Sequence, residues 1–113
     1  TSLEIAQSKQ GAVTVLRPKG PLVEADAPAF ASQVRQAVAA SLGRVVVDAD
    51  ALPFLDSKGL ETLVELAEEL GDSGLALKLC AVNETIREVL DLTGTAGLFE
   101  YHEDATSAIR SFL

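Results

Sequence analysis

With 113 residues, 48% of them hydrophobic, the chain is long enough for one hydrophobic core and too short for two, so a single domain over residues 1–113 is expected. Its formal net charge of −8, from 17 acidic against 9 basic residues, excludes nucleic acid as a partner, because phosphate backbones require clustered Lys and Arg; a protein with a basic face suits it better. Apolar runs stop far short of the roughly 20 residues of a membrane span, no signal-peptide pattern opens the sequence, and the lone Cys80 and lone His102 cannot build a His/Cys metal site. The expectation is a cytoplasmic chain without metal, cofactor or direct membrane insertion.

Leu3 and Ile5 alternate with Glu4 and Ala6, and Val13 and Val15 with Thr14 and Leu16, on either side of a polar turn at Ser8-Lys9-Gln10-Gly11. That pattern predicts an antiparallel hairpin. After Gly20-Pro21, the acids Glu24 and Asp26 precede Phe30, Val34, Ala37 and Val38 at helical spacing, with Asp26 as N-cap and Gly43 as stop. Val45-Val46-Val47-Asp48 is a β-branched run without alternation, as in a central strand covered on both faces, and predicts parallel pairing.

Beyond the loop 49–55, Leu60, Leu63, Val64, Ala67 and Leu70 recur with helical period, while Glu61, Glu65, Glu68 and Glu69 fall elsewhere. A second amphipathic helix ending at Gly71 is predicted, its acidic face either solvated or turned toward a basic partner. Leu75 to Val82 predicts another strand, with Cys80 buried in it as a small hydrophobic side chain. Asn83 caps a third helix carrying Ile86, Val89 and Leu90. Leu98-Phe99 forms a short edge strand, and Ala105, Ala108, Ile109 and Phe112 stripe a short C-terminal helix. The order β-β-α-β-α-β-α-β-α defines an α/β fold with a mixed, mostly parallel sheet. Ligands and partners of such sheets meet the chain beyond the carboxyl ends of the strands, here the loop from Asp48 to Ser57.

The run Val-Val-Val-Asp48-Ala-Asp50-Ala-Leu-Pro-Phe54-Leu55-Asp56-Ser57-Lys58-Gly59-Leu60 resembles the signature of STAS domains, found in anti-anti-sigma factors (anti-sigma factor antagonists) and in the cytoplasmic domains of sulfate transporters. In that family an apolar pair precedes Asp-Ser-Ser/Ala-Gly-Leu at a helix start, and Gly20 falls where the family has a Gly-x-Leu-Asp turn. The element order also fits a STAS-like fold over essentially the whole chain. The sequence departs from the pattern at Lys58, where a small residue is usual, and at Val23, where many antagonists carry the turn aspartate.

The resemblance implies that Ser57 is phosphorylated by an anti-sigma factor serine kinase, a GHKL-type ATPase, and restored by a phosphatase. Unmodified, the domain would capture the kinase; phosphorylated, it would let go. Glu24, Asp26, Asp56, Ser57, Lys58 and Glu61 are the implied partner-binding residues. At the first turn of a helix, Ser57 can carry the added charge of about −1.5 to −2. Asp50 and Asp56 would repel that charge, and Lys58 either supports it or obstructs the kinase. Helix capping alone also accounts for Asp56, and serves as the plain reading of Ser57. The same fold also serves transport, as a sulfate-transporter-like cytoplasmic domain or a subunit of a lipid-transport ATPase.

Enzymatic readings find little in the sequence. Asp48, Asp50 and Asp56 could mimic a phosphate-receiving cluster, but the first strand is not followed by an acidic pair, nor the last by a lysine. His102, expected in a surface loop, has no sequence reason to approach Ser57 or Cys80 as a catalytic base. No glycine-rich phosphate loop occurs.

Overall fold

The computed structural model describes residues 3–113. Two strands, β1 (Glu4–Gln10) and β2 (Val13–Lys19), precede α1 (Ala27–Ser41), β3 (Val45–Asp48), α2 (Ser57–Asp72), β4 (Leu77–Cys80), α3 (Glu84–Leu92), β5 (Phe99–His102) and α4 (Ala105–Arg110), with one 3-10 turn at Ala96–Leu98. The strands form one sheet in sequence order, β1-β2-β3-β4-β5. The hairpin β1–β2 is antiparallel and every later pair is parallel. This is the predicted α/β architecture.

Alternation along the strands sorts the core into two layers. Leu16, Val45, Val47, Leu77 and Leu79 meet Phe30, Val34, Leu63, Leu66, Ile86 and Leu90 from α1, α2 and α3. On the opposite face Val13, Val15, Val46 and Cys80 meet Ala108, with Ala105, Ile109 and Phe112 packed alongside, so the C-terminal stripe is the cover of the second layer. Lys78 also points to that face, its side chain only 9% exposed. Its Nζ lies 3.1 Å from a Glu100 carboxylate oxygen, donates to Ser111 Oγ at 2.5 Å and sits 3.8 Å from the centroid of the Phe112 ring.

Several boundaries differ from expectation for physical reasons. Ser8, Lys9 and Gln10 are strand rather than turn, paired with Val15, Thr14 and Val13. They are exposed, so an edge strand satisfies its backbone there without an apolar pattern to announce it. The turn shrinks to Gly11-Ala12, with Gly11 at φ 63°, a value suited to a two-residue hairpin turn. Leu66, absent from the predicted α2 face, is buried, whereas Leu60 and Val64 are only partly so. Asp26 holds the N-cap position of α1 without a side-chain cap; its carboxylate instead accepts from the Leu3 N–H at 3.0 Å. His102 ends β5 rather than lying in a loop, and its Nε2 is 2.7 Å from Glu100 Oε2.

Candidate functional site

The loop after β3 is fixed in place before α2 begins. Leu22, fully buried, forms a short parallel bridge with Leu55: its N–H donates to the Phe54 carbonyl at 3.1 Å, and its carbonyl accepts from the Asp56 N–H at 3.2 Å. Gly20, at φ 128°, starts this segment by donating to the Ala51 carbonyl at 3.0 Å. The Gly20-Pro21-Leu22-Val23 turn is therefore zipped along the motif loop. From the other side, the Asn83 side-chain amide donates to the carbonyls of Leu52 at 3.2 Å and Pro53 at 3.0 Å. Its Oδ1 at the same time accepts from the Ile86 N–H at 2.8 Å and caps α3.

Asp56 is the hinge of the arrangement. One carboxylate oxygen accepts from the Gly59 N–H at 2.8 Å, capping α2, and the other accepts from the Glu24 N–H at 2.9 Å, tying the turn to the helix. These donations, from Gly59 first and Glu24 second, hold its carboxyl below the ordinary aspartate value. Gly59 has a separate steric reason to be glycine, since a Cβ there would run into the Leu22 carbonyl oxygen.

Ser57 is the first residue of α2 and is exposed; among the described residues its hydroxyl makes no side-chain hydrogen bond. The capping duty falls on Asp56 alone, which leaves the serine oxygen outward and free. Lys58 is also exposed and pairs at 3.4 Å with Glu61, one turn on. Asp50, expected to repel charge at Ser57, is instead bound to Arg17 at 2.9 Å. Of the predicted residues, the structure brings Glu24, Asp56, Ser57, Lys58 and Glu61 to the N-terminal end of α2. Asp26 does not join them with a free carboxylate, because Leu3 holds it. One neighbour escaped the sequence reading: Phe54 is 47% exposed three residues before Ser57. Nothing in the loop set it apart, because Ala51, Leu52, Pro53 and Leu55 around it are apolar as well.

Catalytic chemistry finds no poised group here. Burial, and then the charge of Asp48, push the Cys80 thiol up to about 12, so it is no thiolate nucleophile at neutral pH. His102 is engaged by Glu100, on the strand that also anchors Lys78. No helix among the described residues is long and apolar enough to cross a membrane.

The end of β3, the aspartate-capped start of α2 and the exposed Ser57 lie together at one edge of the sheet, and comparison with known proteins gives this fold a family. The sequence matches the STAS domain over residues 4–108, and the chain belongs to that family. Among solved structures, it resembles a putative anti-sigma factor antagonist of Thermotoga maritima, with TM-score 0.84 and 19% identity, covering 95% of this chain and 92% of that one. The Bacillus cell fate determinant SpoIIAA in its phosphorylated form gives TM-score 0.74 and 17% identity, covering 97% and 100%. The murine anion transporter Solute Carrier 26 family member A9 gives TM-score 0.69 and 17% identity over 92% of this chain, which corresponds to only 18% of the transporter. A comparison with curated protein sequences finds no match.

Proposed function

We propose that this chain, acting as a single cytoplasmic domain, is an anti-sigma factor antagonist that works by phosphorylation-controlled partner switching and performs no catalysis of its own. The unmodified surface of Glu24, Phe54, Asp56, Ser57, Lys58 and Glu61 captures an anti-sigma factor serine kinase of the GHKL ATPase type. Transfer of the ATP γ-phosphate to the Ser57 hydroxyl releases it, and a phosphatase resets the switch. The observation that carries this reading is the division of labour at the start of α2: Asp56 does the capping, and Ser57 is exposed with its hydroxyl uncommitted.

The phosphate would add charge of about −1.5 to −2 to a surface that already holds Glu24 and Glu61. Lys58 can turn from Glu61 toward it, since the existing exposed pair is worth little. Asp50 opposes it weakly, being neutralised by Arg17. A tenfold loss of affinity, enough to switch partners, needs only about 1.4 kcal/mol. The fold's likeness to solved antagonists, one of them in its phosphorylated form, supports the same reading.

The test is a pull-down from native extract with Ser57→Ala and Ser57→Asp baits. A kinase-type ATPase recovered by the first and not the second is the expected result, and equal recovery by both removes the regulatory claim. A second reading, a STAS module of a transport system, is favoured by Lys58 and Val23, where the family pattern of antagonists is broken, and by the fold's likeness to a segment of an anion transporter. Recovery of the same transport subunits on both baits would establish it.

A further inference from the structure

A mainly apolar depression lies away from Ser57. Between the C-terminal halves of α1 and α2 runs a groove of about 430 Å³, floored by Val38, Leu42, Leu66, Leu70 and Leu75, within the range of about 300–1,000 Å³ typical of binding clefts. Along α2, Ser57 and Leu70 are about 20 Å apart at 1.5 Å per residue. A protein seated on the groove therefore leaves the Ser57 end open.

Folding does not account for the groove's most prominent side chain. Leu42 is 76% exposed and sits at φ 55°, ψ 40° in the left-handed region, which costs a non-glycine residue roughly 1–2 kcal/mol. Glycine or asparagine ends a helix there more favourably. The residue thus carries strain and returns almost no burial, as expected of a side chain used for contact with something else. Leu75, also lining the groove, is 42% exposed.

Electrostatics names the complement. Both α1 and α2 end at this groove with no basic residue in the last turn, so two helix C-termini present uncompensated negative dipole ends. On α2, Glu69 lines the groove, and Glu65 and Asp72, both exposed, share its helix face at i, i+4 and i+7. Arg35 is held across the groove by Glu69 at 2.6 Å, and Arg44 is the nearby exposed cation in sequence. A second copy of this acidic chain, or an anionic membrane surface, would be repelled.

We propose that this groove is a second docking site, which takes an amphipathic helical segment of a protein partner with leucine-type side chains on one stripe and Lys or Arg beside it. With the Ser57 surface free at the same time, the domain can hold two partners and act as an adaptor as well as a switch. This site does not depend on phosphorylation.

A fluorescein-labelled Leu/Lys amphipathic peptide, followed by anisotropy, tests it. Saturable binding at one site is expected, weakened about tenfold or more by Leu42→Asn and by Glu65→Lys with Asp72→Lys, and unchanged by Ser57→Asp. Leu42→Asn should also keep or raise the melting temperature, which separates lost contact from lost fold. Equal peptide binding by wild type and the groove variants would overturn the proposal, leaving only diffuse attraction to an acidic protein. Equally tight binding of a Leu/Glu peptide, or concentration-dependent dimerisation through the groove by light scattering, would overturn it in favour of a purely apolar ligand or a second copy.

Discussion

At its first turn α2 is gripped from three sides: Asp56 caps it, the Leu22 carbonyl lies against Gly59, and Asn83 holds the preceding loop. At its last turn the same helix ends at Ser73 with backbone bonds alone, beside an exposed Leu42 and open space around Gly71. The first end is ordered by polar groups that leave one serine outward. The second is an apolar surface that folding leaves uncovered. A helix can thus present a fixed, chemically addressable terminus and an adhesive flank at once, because the constraints on the two are independent.

The sharpest way to break this contrast is a single methyl group. Gly59→Ala would push a Cβ into the Leu22 carbonyl oxygen, which cannot turn aside without losing the Asp56 N–H. Overpacking against backbone commonly costs about 1–3 kcal/mol, occasionally more, and a loss of about 3 kcal/mol is expected here, read as a lower urea midpoint at constant slope. A variant as stable as the wild type would mean that the Leu22 turn does not rest on the helix.

Next in size is Asn83→Ala. Removing the amide takes away the α3 cap, ordinarily worth about 1 kcal/mol, and leaves the carbonyls of Leu52 and Pro53 without their donor. The expected loss is about 1–2 kcal/mol, with faster amide exchange through residues 52–56 and weaker partner capture even though Asn83 lies outside the proposed contact set. If exchange speeds up only within α3, the loop is held by Leu22 and Asp56 without help from α3.

How far the sequence disclosed these features depends on how local they are. Val45 to Val47 announced a central strand because both faces of that strand are covered, and helical period located α1 and α2. The motif placed Asp56 and Ser57 at the start of a helix, where the structure has them. Contacts across long separations stayed hidden. Nothing near Asp26 foretells that its partner is the Leu3 N–H, 23 residues earlier, nor does anything near Asn83 point to carbonyls 30 and 31 residues away. Lys78 inside an apolar strand is intelligible only once Glu100, Ser111 and Phe112 converge on it. The groove was equally illegible, since an exposed leucine in the left-handed region looks in sequence like one more apolar residue before a glycine.

A smaller effect, of opposite sign, probes the other end of α2. Gly71 lies inside the helix, is not among the residues with positive φ, and has nothing within 4 Å of where a Cβ would stand. Gly71→Ala should therefore stabilise the fold by about 0.5–1 kcal/mol, mainly by restricting the unfolded chain. The two alanine substitutions in one helix, measured by the same urea titration, would then move in opposite directions.

The finest distinction is electrostatic. Hydrogen bonds from the Gly59 and Glu24 N–H groups hold the Asp56 carboxyl below its ordinary value, and the hydrogen bond from Arg35 does the same for Glu69. Both folded-state values are depressed, so each contribution is complete above the unfolded carboxyl pKa near 4 and is lost as pH falls through the lower folded value. Salt should separate them. The Arg35–Glu69 pair is about half exposed and is expected to fade as the screening length contracts to about 3 Å at 1 M salt. The bonds to Asp56 come from backbone amides without net charge and should persist. In an NMR titration, the Gly59 and Glu24 amide shifts should therefore report a low Asp56 midpoint that hardly moves with salt, while the Glu69 midpoint rises toward its ordinary value. A salt-sensitive Asp56 would mean that mobile charge, rather than fixed backbone donors, orders the serine end of the helix, and the contrast between its two termini would be lost.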